Sequence, residues 1–264
     1  MRAAEWLWAN PVLRREWRSD RRPPTRLTDA ASWLGLLFLL GLYAGAAVWL
    51  AREERSPWEA RAFLLGACLL YLLGISILAP GMAATRISGE RERRTWQALL
   101  LTSLHPTQVV AAKLLASLRP PLKLLGLWLP LLVMGVHAAR LPPSRLLLIL
   151  IVLLAASCAV AAGSLWLSGR CRRSRTAAAL AYFVTGSCFW AALTTSPAHM
   201  SRGENMWWYI SPAWQAAVLC LAEPGPSPLA RPLLPEYAWF LLGCAAVTGL
   251  SLTLLTRQVA AGDE

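Results

Sequence analysis

The chain has 264 residues, of which 56% are hydrophobic and only 15% are charged. Soluble domains usually carry about 25% charged residues, because a water-exposed surface needs charge to cover it. The apolar residues also occur in long blocks, which a bilayer span requires and a globular core does not. The net charge of +12 therefore indicates basic loops next to anionic lipid, and we expect no nucleic-acid partner.

Six apolar blocks are long enough to span a bilayer, which takes roughly 20 residues. They predict an all-α integral membrane protein with six transmembrane helices, in which residues 1–264 form a single transmembrane domain. The first block begins behind seven arginines and is too long for the core of a signal peptide, so we expect it to be retained as a helix. The predicted spans are residues 31–50, 62–84, 115–139, 146–167, 177–194 and 237–255.

The basic residues predict the orientation of these spans, since cytoplasmic loops are enriched in lysine and arginine. With six spans, 19 of the 26 basic residues fall on one side of the membrane and seven on the other. The richer side holds the N-terminal segment, the connection between the second and third spans, and residues 170–175. We therefore expect both termini to lie in the cytoplasm.

A further helix is predicted ahead of the first span. Asn10 is a good N-cap, Pro11 is a good first helical residue, and the apolar side chains behind them share one face. Arginines fill the other faces, which is typical of a helix lying in the membrane interface. The residues that define this N-terminal interfacial helix are Asn10, Pro11, Leu13, Arg14, Arg15 and Trp17.

The connection between the fifth and sixth spans, residues 195–236, contains an aromatic cluster at 207–209 and an apolar run at 213–222. Aromatic clusters favour the headgroup layer of a bilayer. The apolar run is too short to span, so the sequence predicts either a re-entrant helix or an interfacial one.

The chemistry that the sequence lacks excludes several classes of membrane protein. No aspartate or glutamate lies inside a predicted span, which argues against ion-coupled carriers and intramembrane hydrolases. There is no G-x-x-x-x-G-K-[ST] phosphate loop and no H-E-x-x-H metal motif. The three histidines are scattered and the six cysteines form no C-x-x-C pair, so we expect no metal site and no catalytic residues in this chain.

The connection between the second and third spans combines a dense acidic and basic cluster, residues 90–94, with an apolar stripe. Trp96, Leu99 and Leu100 follow the cluster at helical spacing. A lipid anchor would carry cations alone, because acidic residues add nothing to lipid attraction. The pattern favours a short helix that docks on another protein, and a solvated charge run leading into an interfacial helix is the alternative.

This stretch resembles the cytoplasmic segment of the ABC-2 type permeases, whose pattern runs roughly E-R-E-x-G-T-[LW]-x-x-L-L-x-T-P-L-S-P, followed by Gly-Lys. Residues 90–106 follow that pattern, and Lys113 takes the place of the family's lysine. Arg94 replaces the usual glycine. Residues 10–16 and the Ser211-Pro212 pair also look like segments of such permeases. The other departures are Ser103, His105 and Ala112.

The resemblance implies a role for each segment. Residues 88–104 would be a cytoplasmic coupling helix seated in a groove of a separate ATPase subunit, and residues 10–22 would be an elbow helix along the membrane. The charged residues would form the ion pairs with the ATPase, and the apolar stripe would supply the hydrophobic contact. The implied ATPase-coupling residues are Glu90, Arg91, Glu92, Arg93, Arg94, Thr95, Trp96, Gln97, Leu99 and Leu100.

The resemblance also implies a function. The chain would be the permease subunit of an ATP-driven exporter in a bacterial cytoplasmic membrane, and not itself an enzyme. It would hold no cofactor, because ATP and Mg would be bound by the ABC ATP-binding subunit. A second permease copy or a related permease would complete the transporter within the lipid bilayer. Two alternatives stay open: a membrane scaffold or assembly factor using the same basic loops, and a membrane enzyme acting on lipids.

Overall fold

The computed structural model describes residues 11–14, 37, 40–49, 56–96, 105–194, 211–221 and 234–261. The regular structure in these ranges is helical. Residues 11–14 and Leu40–Trp49 are helical as well. The longer elements are α1 (Pro57–Ala83), α2 (Thr85–Glu92), α3 (Pro106–Ala138), α4 (Pro143–Arg170), α5 (Ser174–Thr194), α6 (Pro212–Leu221) and α7 (Leu234–Ala260).

Four helical stretches among the described residues are long and apolar enough to cross a membrane: Pro57–Glu92, Pro106–Ala138, Pro143–Arg170 and Ala238–Ala260. They coincide with the second, third, fourth and sixth predicted spans, which confirms an all-helical, multi-pass membrane protein. At 21 residues, α5 covers the fifth predicted span and rises about 30 Å. Of the first predicted span, the structure describes residue 37 and residues 40–49 but not the rest, so the total of six stays a prediction.

Helices α1 and α4 form the centre of the bundle. Helix α1 packs against α3, α4, α5 and α6, and α4 also contacts α3, α5 and α7. The core between them is apolar and fully buried, with Leu72 from α1, Leu132 from α3 and Leu153 from α4. A Cβ atom added at Gly135 would lie 3.0 Å from the Leu64 side chain, so this glycine lets α3 approach α1 closely.

Polar side chains join the central helices inside this apolar core. The Tyr71 hydroxyl on α1 lies 2.9 Å from the Ser157 hydroxyl on α4 and donates to the Pro121 carbonyl on α3 at 3.3 Å. The Trp128 Nε1 on α3 donates to the Ala67 carbonyl on α1 at 2.8 Å. Interhelical hydrogen bonds of this kind contribute about 0.6 kcal/mol each in a membrane protein. They fix the relative register of α1, α3 and α4.

Helix α6 is inserted between α1 and α4. Its Leu219 is fully buried, and the Leu219 carbonyl accepts a hydrogen bond from Arg145 near the start of α4. The other end of α6, at Pro212, lines a cavity together with Val160, which lies about 20 Å further along α4 than Arg145. Helix α6 therefore runs through the depth of the bundle, which favours the re-entrant arrangement over the interfacial one.

The position of α6 can be tested through two native thiols, since the Cys68 and Cys220 sulfurs lie 3.9 Å apart. In a variant that keeps only these two cysteines, mild oxidation is expected to join them, because a small rotation brings the sulfurs to bonding distance. Maleimide labelling of the denatured protein, followed by mass measurement, should show that both thiols have been lost. A variant keeping only Cys68 and Cys244 is the control. Two labelled thiols after oxidation in the first variant would place α6 elsewhere.

Candidate functional site at the basic end

The charged segment forms a defined structure at one end of the bundle. We call this end of the bundle the basic end and define it by α2 and residues 170–175. Helix α2 follows α1 after a single turn residue, Ala84, whose N–H donates to the Pro80 carbonyl at 2.9 Å. Since proline interrupts the helical hydrogen-bond ladder, Pro80 marks the place where the chain changes from span to α2. Helix α2 is therefore attached directly to a membrane helix.

A serine of α4 caps the start of α2. The residue at the N-cap position, Ala84, has no side chain that could accept a hydrogen bond. The Ser168 hydroxyl accepts instead from the backbone N–H groups of Ile87 and Ser88, at 3.1 and 3.0 Å. Ser88 and Ser168 are both fully buried. One buried face of α2 is thus fastened to α4.

A buried lysine fastens α2 to α3. The Lys113 side chain is fully buried, and its ammonium lies 2.9 Å from the Glu90 carboxylate. The same ammonium donates to the Arg86 carbonyl at 3.2 Å. Removing a lysine charge from water costs several kcal/mol unless an opposite charge and hydrogen bonds compensate it. Glu90 is therefore part of the internal structure of the chain.

Arginine 86 adds a second link to α3. Its guanidinium donates to the Ala116 carbonyl at 3.2 Å. This carbonyl is available because Pro120, one turn further on, has no N–H to bond to it. The proline in α3 thus creates the acceptor that the arginine of α2 uses.

Glu92 links α2 to the start of α5. Its carboxylate accepts hydrogen bonds from the Ser174 backbone N–H at 2.8 Å and from the Ser174 hydroxyl at 2.9 and 3.0 Å. A carboxylate is favourable there because helix N-termini carry unpaired N–H groups and partial positive charge. These hydrogen bonds, helped by Arg173 and Arg175, lower the pKa of the exposed Glu92 below its ordinary value.

Helix α2 ends in a tight turn centred on Arg94. The Thr95 N–H donates to the Glu90 carbonyl and the Arg94 N–H to the Arg91 carbonyl, at 3.0 and 3.1 Å. This pair of bonds is the Schellman motif, which requires a left-handed residue after the helix. Arg94 has a φ of 57°, so it occupies the position that glycine normally fills. The predicted continuous helix at 88–104 is therefore interrupted at residues 93–95.

Trp96 points into the chain. It is 6% exposed and packs in an apolar cluster with Val12 and Leu13 of the N-terminal segment and with residues of α2, α3, α4 and α7. The Arg91 guanidinium lies over its ring, 5.6 Å from the centroid. The indole thus anchors the turn after α2 to the bundle, whereas the sequence interpretation assigned it to a partner protein.

The remaining predicted site residues divide into three groups: exposed residues after α2, residues of the N-terminal segment, and residues outside the described ranges. Arg93, Arg94 and Thr95 are exposed. Residues 11–14 are helical, with Leu13 buried, so the described part of the predicted elbow helix packs against the basic end. The others lie outside the described residues: Asn10, Arg15, Trp17, Gln97, Leu99 and Leu100.

The structure brings to this site several residues that were not among the predicted site residues. The exposed arginines 172, 173 and 175 lie beside α2, because Glu92 holds the start of α5 there. Their clustering was visible in the sequence, where it served only to orient the spans. Ser168 and Ser174 carry no such signal, since single serines near helix ends are common. The residues after α2 and those around the start of α5 together form what we call the exposed basic surface. It is defined by Arg93, Arg94, Arg172, Arg173 and Arg175.

Comparison with known proteins identifies one family. The family model described as ABC-2 family transporter protein matches residues 59–253, which include nearly all of α1, all of α2 to α6 and most of α7. No protein with a curated description matches the chain.

The buried ion pair leads to a stability prediction. The change Glu90→Gln removes the carboxylate that faces the buried Lys113 ammonium, so we expect a loss of about 3 kcal/mol of stability. The double variant E90Q/K113M removes both charges and should lose less. Denaturant unfolding of the purified protein in detergent measures both. Glu59→Gln, which alters an exposed carboxylate in the first turn of α1, is the control. Equal stability of E90Q and the unaltered protein would contradict the role given to this pair.

The left-handed turn leads to a second prediction. The change Arg94→Gly should raise stability by about 1 kcal/mol, because glycine adopts a positive φ without the steric cost that arginine bears. Arg93→Gly is the matched control, since Arg93 has a φ of −83° and gains nothing from glycine. The same unfolding measurement compares the two variants. Finding R94G less stable than R93G would argue against the turn described here.

Proposed function

The chain belongs to the ABC-2 transporter family, and from that premise we propose that it is the membrane-spanning permease subunit of an ATP-driven exporter. ATP hydrolysis takes place in a separate ATPase subunit, which binds the ATP and Mg. The permease receives the motion of that subunit at the basic end and transmits it to the spans.

The observation that carries this proposal is the attachment of α2 to four membrane helices. Helix α2 continues α1 and is bonded to α3 through the ion pair of Glu90 and Lys113. The Ser168 hydroxyl of α4 caps its start, and its Glu92 holds the start of α5. A force applied to α2 would therefore move these helices together. Transporters that alternate between two states need such a rigid connection between the engine and the spans.

The exposed basic surface supports a contact with an acidic face of the ATPase. Arginine suits this role because its planar guanidinium makes two parallel hydrogen bonds to one carboxylate. Glu90, Glu92 and Trp96 already have partners within the chain, so in our proposal they shape the surface instead of touching the ATPase. Arg93 and Arg94 make the contact, joined by Arg173 and its neighbours. Gln97, Leu99 and Leu100 remain proposed contacts.

The same proposal fixes the orientation and the assembly. The basic end lies in the cytoplasm of a bacterial cell, where the ATPase has access to it and where basic loops are favoured. Six spans then place both termini on that side of the cytoplasmic membrane. Since one ATPase dimer needs two docking surfaces, two copies of this chain, or this chain and a related permease, form the complete transporter.

The contact with the ATPase can be tested by charge reversal. Arg94→Glu should reduce the ATPase activity that copurifies with the tagged chain from native membranes at least tenfold, because it places a carboxylate against the acidic partner surface. Arg140→Glu is a matched control: Arg140 is also exposed, also ends a helix with a positive φ of 53°, and lies at the opposite end of the bundle. Insertion is checked by the yield of folded protein.

Each outcome of this comparison decides something. Loss of activity in R94E alone supports docking at the basic end. Equal loss in R94E and R140E would indicate that the turn conformation, and not the surface, was disturbed. Unchanged activity in R94E would overturn the assignment of this surface to the ATPase. Copurification of ATP-binding protein without cargo-stimulated hydrolysis would favour a scaffold over a transporter.

A further inference from the structure

A second site lies in the membrane-spanning part of the bundle. A cavity of about 290 Å³ opens between α5 and α7, with α4 as its floor and Pro212 of α6 at one end. We call it the lateral groove. Among the described residues, no charged side chain lines it, and its walls are mostly alanine, glycine, valine and aromatic residues. This volume is near the lower limit for ligand pockets, which suits one narrow apolar group better than a bulky molecule.

The length of the groove matches one leaflet of a bilayer. Along α4 it extends from Ala156 to Trp166 and Leu167, which is about 15 Å at the rise of an α-helix. The hydrocarbon core of a bilayer is about 30 Å thick, so each leaflet contributes about half of that. The groove therefore has the dimensions of a slot for one acyl chain, reaching from the basic end toward the middle of the membrane.

The basic end of the groove carries polar groups suited to a lipid headgroup. The Trp166 indole lines the groove, and its buried N–H has no hydrogen-bond partner among the described residues. The exposed Arg170 guanidinium lies over the same ring, 5.4 Å from its centroid. A tryptophan N–H can only donate, and the ester and phosphate oxygens of a phospholipid can accept. An arginine beside them favours a headgroup of negative charge.

From these observations we propose that the lateral groove binds one acyl chain of an anionic phospholipid from the leaflet at the basic end. The lipid's glycerol ester oxygens accept from the Trp166 N–H, and its phosphate lies at Arg170. This site is independent of the proposed contact with an ATPase, since it shares no residue with the surface that R94E alters.

Filling the groove provides the central test. A Cβ atom added at Gly163 or at Gly243 meets no atom within 4 Å, so a larger side chain can enter the groove from either position without a clash. Gly163→Leu should therefore remove the bound lipid while leaving folding intact, because leucine is also a better helix former than glycine. Gly126→Leu is the control: it has the same open surroundings but is exposed on α3, away from the groove.

The measurement is native mass spectrometry of the chain purified in mild detergent and supplied with equimolar phosphatidylglycerol and phosphatidylethanolamine. The unaltered chain and G126L should carry one tightly held phospholipid, and G163L should carry at least tenfold less. Equal retention by G163L would overturn the proposal. Loss of a chain dimer in G163L, with lipid binding unchanged, would assign the groove to a second copy of the protein and would also overturn it.

The headgroup has its own test. Arg170→Gln should lower the preference for phosphatidylglycerol over phosphatidylethanolamine about fivefold, which corresponds to about 1 kcal/mol for one basic residue at an anionic surface. Arg172→Gln, two residues beyond the end of α4, should leave the preference unchanged. A preference that does not change in R170Q, or that falls equally in R172Q, would contradict the placement of the phosphate at Arg170.

Discussion

The buried ammonium of Lys113 is the constraint on which the basic end depends. A lysine with no exposed surface is stable only beside an opposite charge, and Glu90 provides that charge from α2. The pair therefore ties α2 to α3, since moving the helix away would leave one charge buried and uncompensated. The hydrogen bonds to α4 and α5 hold α2 in the same position.

This arrangement gives the basic end two layers with different chemistry. The inner layer consists of groups whose partners lie within the chain, such as Ser168 and Glu92. The outer layer is made of arginines that remain exposed, such as Arg93 and Arg173. A docking surface gains from such support, because fixed side chains lose less entropy on binding than mobile ones. The acidic residues of the charged segment thus serve rigidity, and its exposed arginines, Arg93 and Arg94, are the ones that we propose for recognition.

The sequence predicted the spans more reliably than the site. Long apolar blocks report directly on bilayer thickness. On the side away from α2, the predicted end of α3 and the predicted start of α4 therefore lie within a few residues of the observed ones. A charged side chain, in contrast, does not reveal its partner. Glu92 bonds to a serine 82 residues away, which no local pattern could indicate. The apolar spacing that begins at Trp96 was assigned to the surface of a partner protein, whereas distant helices of the chain itself bury Trp96.

The backbone at Arg94 shows why local strain alone does not identify the site. Arg94 and Arg140 both end a helix with a positive φ, at a cost of about 1–2 kcal/mol relative to glycine. Glycine adopts a positive φ at lower cost than arginine, so the turn itself does not need a charge. What distinguishes Arg94 is its surroundings, since Glu92 brings Arg173 and the rest of that loop beside it. The strained turn thus adds one more cation to a surface that is already basic.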